Sequence, residues 1–127
     1  MNSEQNFQLG LLYLIHLLIN ADGVVNENEK NALLKIKDKE NIPSTVFADF
    51  ENEVKIKKPK EIYQRGIELI NACEDTDKLR AFAHLYKMSE VDGSVHIKEV
   101  LLLLYSVKMA DIEFNDVIAE ASKFIDY

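Results

Sequence analysis

A chain of 127 residues is long enough to bury a core of its own and short enough for one domain, so residues 1–127 read as a single unit. Apolar residues make up 47% and charged residues 29%, with four Gly, two Pro and no Trp, a soluble composition poor in helix breakers. The net charge of −7 excludes a nucleic-acid surface, which needs a basic face to displace counterions from phosphate.

Cys73 is the single cysteine, which excludes an internal disulfide and fits a reducing cytoplasm. The apolar run from Leu9 to Ile19 is preceded by Glu4 rather than by a basic segment, so it does not read as a targeting signal. Gly10 and His16 interrupt it, and it is too short to span a bilayer. The expectation is a cytoplasmic protein with no membrane insertion and no cleaved segment.

In chain order, Phe7, Leu11, Leu14, Ile15, Leu18 and Ile19 recur at spacings of three and four, predicting a first helix from about Ser3 to Ala21 that is apolar on most sides. Such a helix belongs in the middle of a bundle. Asp22-Gly23 ends it, because Gly accepts the left-handed conformation of a helix terminus. Asn26 caps a second helix running to about Lys39, with Glu29 three residues on completing a variant capping box.

Asn41-Ile42-Pro43-Ser44 breaks the chain and supplies a cap, and Val46, Phe47, Phe50 and Val54 mark one face of a third helix. Lys55, Lys57, Lys58 and Lys60 then read as a solvated linker. Pro59 opens a fourth helix, with Ile62, Tyr63, Gly66, Ile67 and Ile70 as its buried stripe up to about Ala72. Asp75 or Thr76 caps a fifth, whose apolar positions are Leu79, Phe82, Ala83, Leu85, Tyr86 and Met88. Past Glu99, Val100 to Leu104 with Tyr105 and Val107 form another central helix. Ala110 to Phe114 is a connection, and Val117, Ile118, Ala121, Phe124 and Ile125 mark a final amphipathic helix. The sum is an all-α, seven-helix bundle.

One pattern occurs twice. Ala21-Asp22-Gly23-Val24-Val25-Asn26-Glu27-Asn28-Glu29 returns 70 residues later as Val91-Asp92-Gly93-Ser94-Val95-His96-Ile97-Lys98-Glu99. Each copy joins two helices by a short acidic loop, giving helix-loop-helix units at about 7–39 and 77–109. A duplication of this kind predicts a pseudo-two-fold arrangement with the loops near one another.

A calcium loop places Gly at its sixth position, an apolar residue at its eighth and a bidentate Glu at its twelfth. Gly23, Val25 and Glu29 match that half, as do Gly93, Val95 and Glu99. The opening ligand position falls on Leu18 and on Met88, neither of which offers an oxygen, so these are not EF-hands. Asp22, and Glu90 with Asp92, sit at the negative ends of their incoming helices. Brought together, such carboxylates repel, and a divalent cation relieves the repulsion most directly. The competing reading needs no ion: Asp-Gly followed by Asn-x-x-Glu is an adequate helix junction, its cap contributing ~1 kcal/mol. Spacing alone leaves both open.

The remaining candidates are weaker. His96 stands where it could cap or ligate, but a zinc site would want more His or Cys nearby. His16 and His84 fall within largely apolar helices and read as packed or partly exposed rather than catalytic; Cys73 reads as a small buried residue. Met88, Met109, Tyr86 and Tyr105 lie on helical stripes and read as core. No phosphate loop, nucleophile motif or carboxylate pair in a cleft is present in the sequence, which points away from an enzyme.

The paired Asp-Gly-x-Val-x-x-x-Glu loops, in a small helical chain, resemble the tellurite-resistance TerB-like family over most of the sequence. The resemblance implies a seven-helix fold with internal duplication and an acidic cluster for a divalent metal, with Asp22, Glu29, Asp92 and Glu99 as its ligands. Ca²⁺ or Mg²⁺ is favoured over Zn²⁺ by the all-oxygen donor set. It also implies a non-enzymatic stress-response role with a protein partner. Val24, His96 and Lys108-Met109-Ala110 depart from the family pattern. The alternative is an ion-independent protein-interaction adaptor.

Overall fold

The computed structural model describes residues 3–19, 27–89 and 113–123, and every regular element among them is an α-helix. These are α1 (Ser3–Ile19), α2 (Glu27–Lys39), α3 (Ser44–Ile56), α4 (Pro59–Asn71), α5 (Asp75–Ser89) and α6 (Phe114–Ala121). The helix expected after Glu99 and both acidic loops lie outside the described residues, and with them the seventh helix and the duplication.

The central position expected of α1 is met. Every residue from Phe7 to Ile15 is buried, Gln8 and Gly10 included. One apolar cluster joins Phe7, Leu11, Leu14 and Ile15 to Ile36 of α2, Ile67 and Ile70 of α4, Phe82, Leu85 and Met88 of α5, and Val117 of α6. The second joins Leu9, Leu12 and Tyr13 to Val46 and Phe50 of α3 and to Ile62 and Leu69 of α4. The same helix thus serves two cores from opposite sides, which is why its sequence is apolar nearly all round. Each fully buried large side chain contributes about 1.5–3 kcal/mol of transfer free energy.

Two glycines set the approach of α1 to α4. A Cβ on Gly10 would stand 2.9 Å from Ile70 Cγ1 and 3.1 Å from the Gly66 carbonyl oxygen. One on Gly66 would stand 3.0 Å from Leu14 Cδ2 and 3.2 Å from Tyr13 Cβ. The helices therefore touch backbone to side chain where any larger residue would hold them apart.

The helix ends differ from expectation in detail. Asn41, not a glycine, closes α2 in the left-handed region (φ 53°). Its N–H donates to the Asp38 carbonyl at 3.2 Å, and the Ile42 N–H to the Lys37 carbonyl at 3.0 Å. That pairing is a Schellman motif, which satisfies carbonyls the helix would leave open. Asn41 and Ile42 are consumed by it, Pro43 in extended conformation takes the cap position of α3, and Ser44 is the first helical residue. Of the lysine run, only Lys57 and Lys58 link the helices: Lys55 lies in α3, which continues through Ile56, and Lys60 in α4, which starts at Pro59. Glu61 explains the abrupt restart, its Oε1 accepting the Lys58 backbone N–H at 3.1 Å, half of a capping box. Asp75 and Thr76 fall inside α5, and Phe114 inside α6, each helix starting slightly ahead of its expected cap or connection.

Candidate functional site

The first acidic stretch lies between two described helices, α1 (Ser3–Ile19) and α2 (Glu27–Lys39), and Asn26, the expected cap, lies outside the described residues. Glu29 is the third residue of α2, in the turn where the helix dipole favours a carboxylate; its side chain lies outside the described residues. So do Asp22, Asp92 and Glu99, and His96 as well. α5 (Asp75–Ser89) precedes the second acidic stretch, which lies outside the described residues. Among the described residues no three His, Cys, Asp or Glu side chains gather closely enough to hold a metal ion.

What the tertiary structure does bring together is a polar cluster that the sequence reading passed over. Glu40 follows the last residue of α2, where the negative helix terminus disfavours a carboxylate. Its Oε2 accepts a 2.8 Å hydrogen bond from Nε2 of His84 and lies 3.2 Å from Nε of Arg80. Arg80 in turn lies over the Phe7 ring, 4.3 Å from its centroid, and 3.5 Å from Asp77 Oδ1. Gln8 of α1 reaches the same corner, its Nε2 donating long bonds to the carbonyls of Glu40 (3.4 Å) and Asn41 (3.5 Å). Three helices are thereby tied at one point.

The protonation states follow from the surroundings. Burial disfavours charge on His84 and holds its imidazole below the ordinary range, outweighing the pull of Glu40. The neutral ring then carries its proton on Nε2, donating to Glu40. Burial works against ionisation of Glu40 too, but the His84 hydrogen bond, helped by Arg80 and Lys39, prevails and holds its carboxyl below the usual value. His84 has no exposed surface, so no molecule in solvent reaches it, and the pair acts as an internal tie.

The expectation that His84 is packed therefore holds, and His16 is half-buried with its ring edge-on to Phe50 at 5.9 Å. Cys73 is buried and donates to the Leu69 carbonyl at 3.4 Å; burial pushes its thiol up, away from reactivity. A signal for the cluster was present: Arg80 and His84 stand one turn apart on an otherwise apolar stripe, which calls for a carboxylate from elsewhere. Nothing in the letters says which of the 22 acidic residues supplies it.

No helix among the described residues is long and apolar enough to cross a membrane. In comparisons with known proteins, no family model, no curated protein and no solved structure matches the chain.

Proposed function

We propose that this chain is a non-enzymatic, divalent-cation-binding module of the TerB-like kind, on a seven-helix fold with an internal duplication, working with a protein partner in the cytoplasm. The observation that carries this reading is the in-register return of Asp-Gly-x-Val-x-x-x-Glu after 70 residues. It is supported by the described helices α1 (Ser3–Ile19), α2 (Glu27–Lys39) and α5 (Asp75–Ser89), which lie on either side of the first acidic stretch and ahead of the second. The residues that would hold the ion are Asp22, Glu29, Asp92 and Glu99. A cation there would offset the repulsion among them and the unfavourable placing of Asp22 and Asp92 at helix C-termini.

The donors are all hard oxygens, so Ca²⁺ or Mg²⁺ is preferred to Zn²⁺. With the opening ligand of a calcium loop missing in both copies, binding is loose, with a dissociation constant on the order of 10⁻⁵ to 10⁻³ M. Calorimetric titration of the chelator-stripped protein with Ca²⁺, Mg²⁺, Mn²⁺ and Zn²⁺ tests this directly. A hundred-fold excess over Kd stabilises the fold by about 2.7 kcal/mol, which a thermal melt reads. Asp22→Asn with Asp92→Asn abolishes the heat and the shift while leaving the ion-free fold at least as stable. Gln at 29 and 99 still reaches back to the cap backbone, separating ligation from capping. A double Asn variant that titrates like wild type refutes the cation reading and leaves the ion-independent adaptor.

A further inference from the structure

Where α3 gives way to α4 the chain reads Lys55-Ile56-Lys57-Lys58-Pro59-Lys60, with no acidic residue between Glu53 and Glu61. Such a run stands out in a chain that sets 15 Lys and Arg against 22 Asp and Glu. Lys57 and Lys58 are extended and join the two helices, and Lys55, Lys58, Pro59 and Lys60 are exposed. Lys57 pairs with Glu53 at 3.2 Å. Lys55, Lys58 and Lys60 make no ion pair among the described residues, and Glu61, the next acid along the chain, accepts the Lys58 backbone N–H.

Ile56 supplies a second, independent feature. At 79% exposure it is the barest large apolar side chain among the described residues. Val54, two residues earlier, packs against the cluster that holds Phe50, and residues two apart point to roughly opposite sides of a helix. Ile56 is therefore turned away from the core and into water. A lone exposed Ile is ordinary, but one set among three unpaired lysines, at a turn where two helices end, joins apolar and cationic contact in one small place.

A soluble polyanion would satisfy the lysines and leave Ile56 in water, and a folded acidic partner would have to bring a preformed pocket for a single side chain. An anionic bilayer answers both features. Its phosphates take the ammonium groups, whose long stems let them stay at headgroup level while an apolar side chain reaches the acyl boundary. Taking these four lysines from the 15 basic residues leaves 11 against 22 acids, so the rest of the chain is repelled and only the turn can touch. Charges further off than about 8 Å are screened at physiological ionic strength. We propose that the α3–α4 turn docks the protein reversibly on an anionic phospholipid surface, with Lys55, Lys58 and Lys60 at the phosphates and Ile56 at the acyl boundary. This docking needs no membrane-crossing helix and shares no residue with the acidic stretches, so it stands or falls apart from the cation reading.

The test is co-sedimentation of the full chain with vesicles of phosphatidylcholine containing about 30% phosphatidylglycerol, against phosphatidylcholine alone. EDTA is present throughout, so that no cation bridges the acidic stretches to lipid. Binding should appear only with the anionic lipid and be lost between about 0.1 M and about 1 M salt. Lys55→Gln, Lys58→Gln and Lys60→Gln should each weaken it about five-fold, the scale of one lysine near a charged surface. Ile56→Ser should weaken it about ten-fold and leave the salt dependence unchanged. The chain has no Trp, so Ile56→Trp makes a single emission reporter, which should shift to the blue on anionic vesicles and not with poly-L-glutamate. All four side chains are exposed, so melting temperatures measured in parallel should stay at the wild-type value. No binding to anionic vesicles at about 1 mM lipid, a Lys→Gln triple variant that binds like wild type, or an unshifted Trp in the bound state overturns the proposal. Binding to poly-L-glutamate as tight as to vesicles, and insensitive to Ile56→Ser, overturns it in favour of an acidic protein segment.

Discussion

At the scale of single residues, the most consequential group is His84, because its imidazole is buried and neutral while the unfolded chain titrates freely. Its folded pKa lies below the unfolded value, so as pH falls through about 6.5 the unfolded state takes up the proton first and stability drops. Glu40, also held below its ordinary value, adds loss of the same sign at lower pH. His16 is lowered by burial as well and contributes in the same direction. We expect the chemical-denaturation midpoint to fall between pH 7 and pH 5, and His84→Gln to flatten that slope more than His16→Gln does. An equal slope in wild type and the His84 variant would mean that other groups carry it. Removing Glu40 as Ala strands the buried His84 without its acceptor and should cost about 1.5–3 kcal/mol, the scale of a hydrogen bond to a charged group.

Helices, taken as elements, are governed here by where they stop and how closely they approach. Ala at position 10 would ordinarily gain about 1 kcal/mol of helix propensity over Gly. In α1 the added methyl meets Ile70 at 2.9 Å and a backbone oxygen at 3.1 Å, and overpacking of this kind costs about 1–3 kcal/mol. Gly10→Ala should therefore lower stability in urea by about 1 kcal/mol net, with Gly10→Val worse still; a stabilised Gly10→Ala would mean that α1 and α4 separate without penalty. Asn41 makes a second test at a helix end. Its left-handed φ costs a residue with an ordinary Cβ about 1–2 kcal/mol, so Asn41→Ala should destabilise by roughly that amount and Asn41→Gly should not.

Over the whole molecule, α1 is the shared wall of two apolar clusters, and the Glu40 tie secures the corner where α2 turns into α3. The tie sits at one end of α2 while the first acidic stretch runs into the other, with Glu29 11 residues before Glu40. Cation binding at that stretch should therefore leave the His84 titration unmoved, which NMR of the imidazole in the presence and absence of Ca²⁺ checks. A shift in the His84 pKa on adding Ca²⁺ would show the two ends coupled through α2.

Periodicity alone determined the all-helical class among the described residues, the central place of α1 and the approximate span of each helix, because a helix that must be buried on several sides has to be apolar on several sides. The repeated acidic stretch is equally a property of the letters, and the cation reading rests there. Tertiary structure decided the rest. Pairing Glu40 with Arg80 and His84 joins residues 40 and 44 positions apart, a choice among many acids that local spacing does not encode. The Schellman turn at Asn41 left Pro43 as the residue that caps α3, since whether Asn41 goes left-handed depends on the hydrogen bonds it makes there. Tyr13 is 2% exposed with its ring against Phe50 only because α1 and α3 meet there: on the sequence it is one apolar position among many, and which ring it packs on is set by how the helices cross.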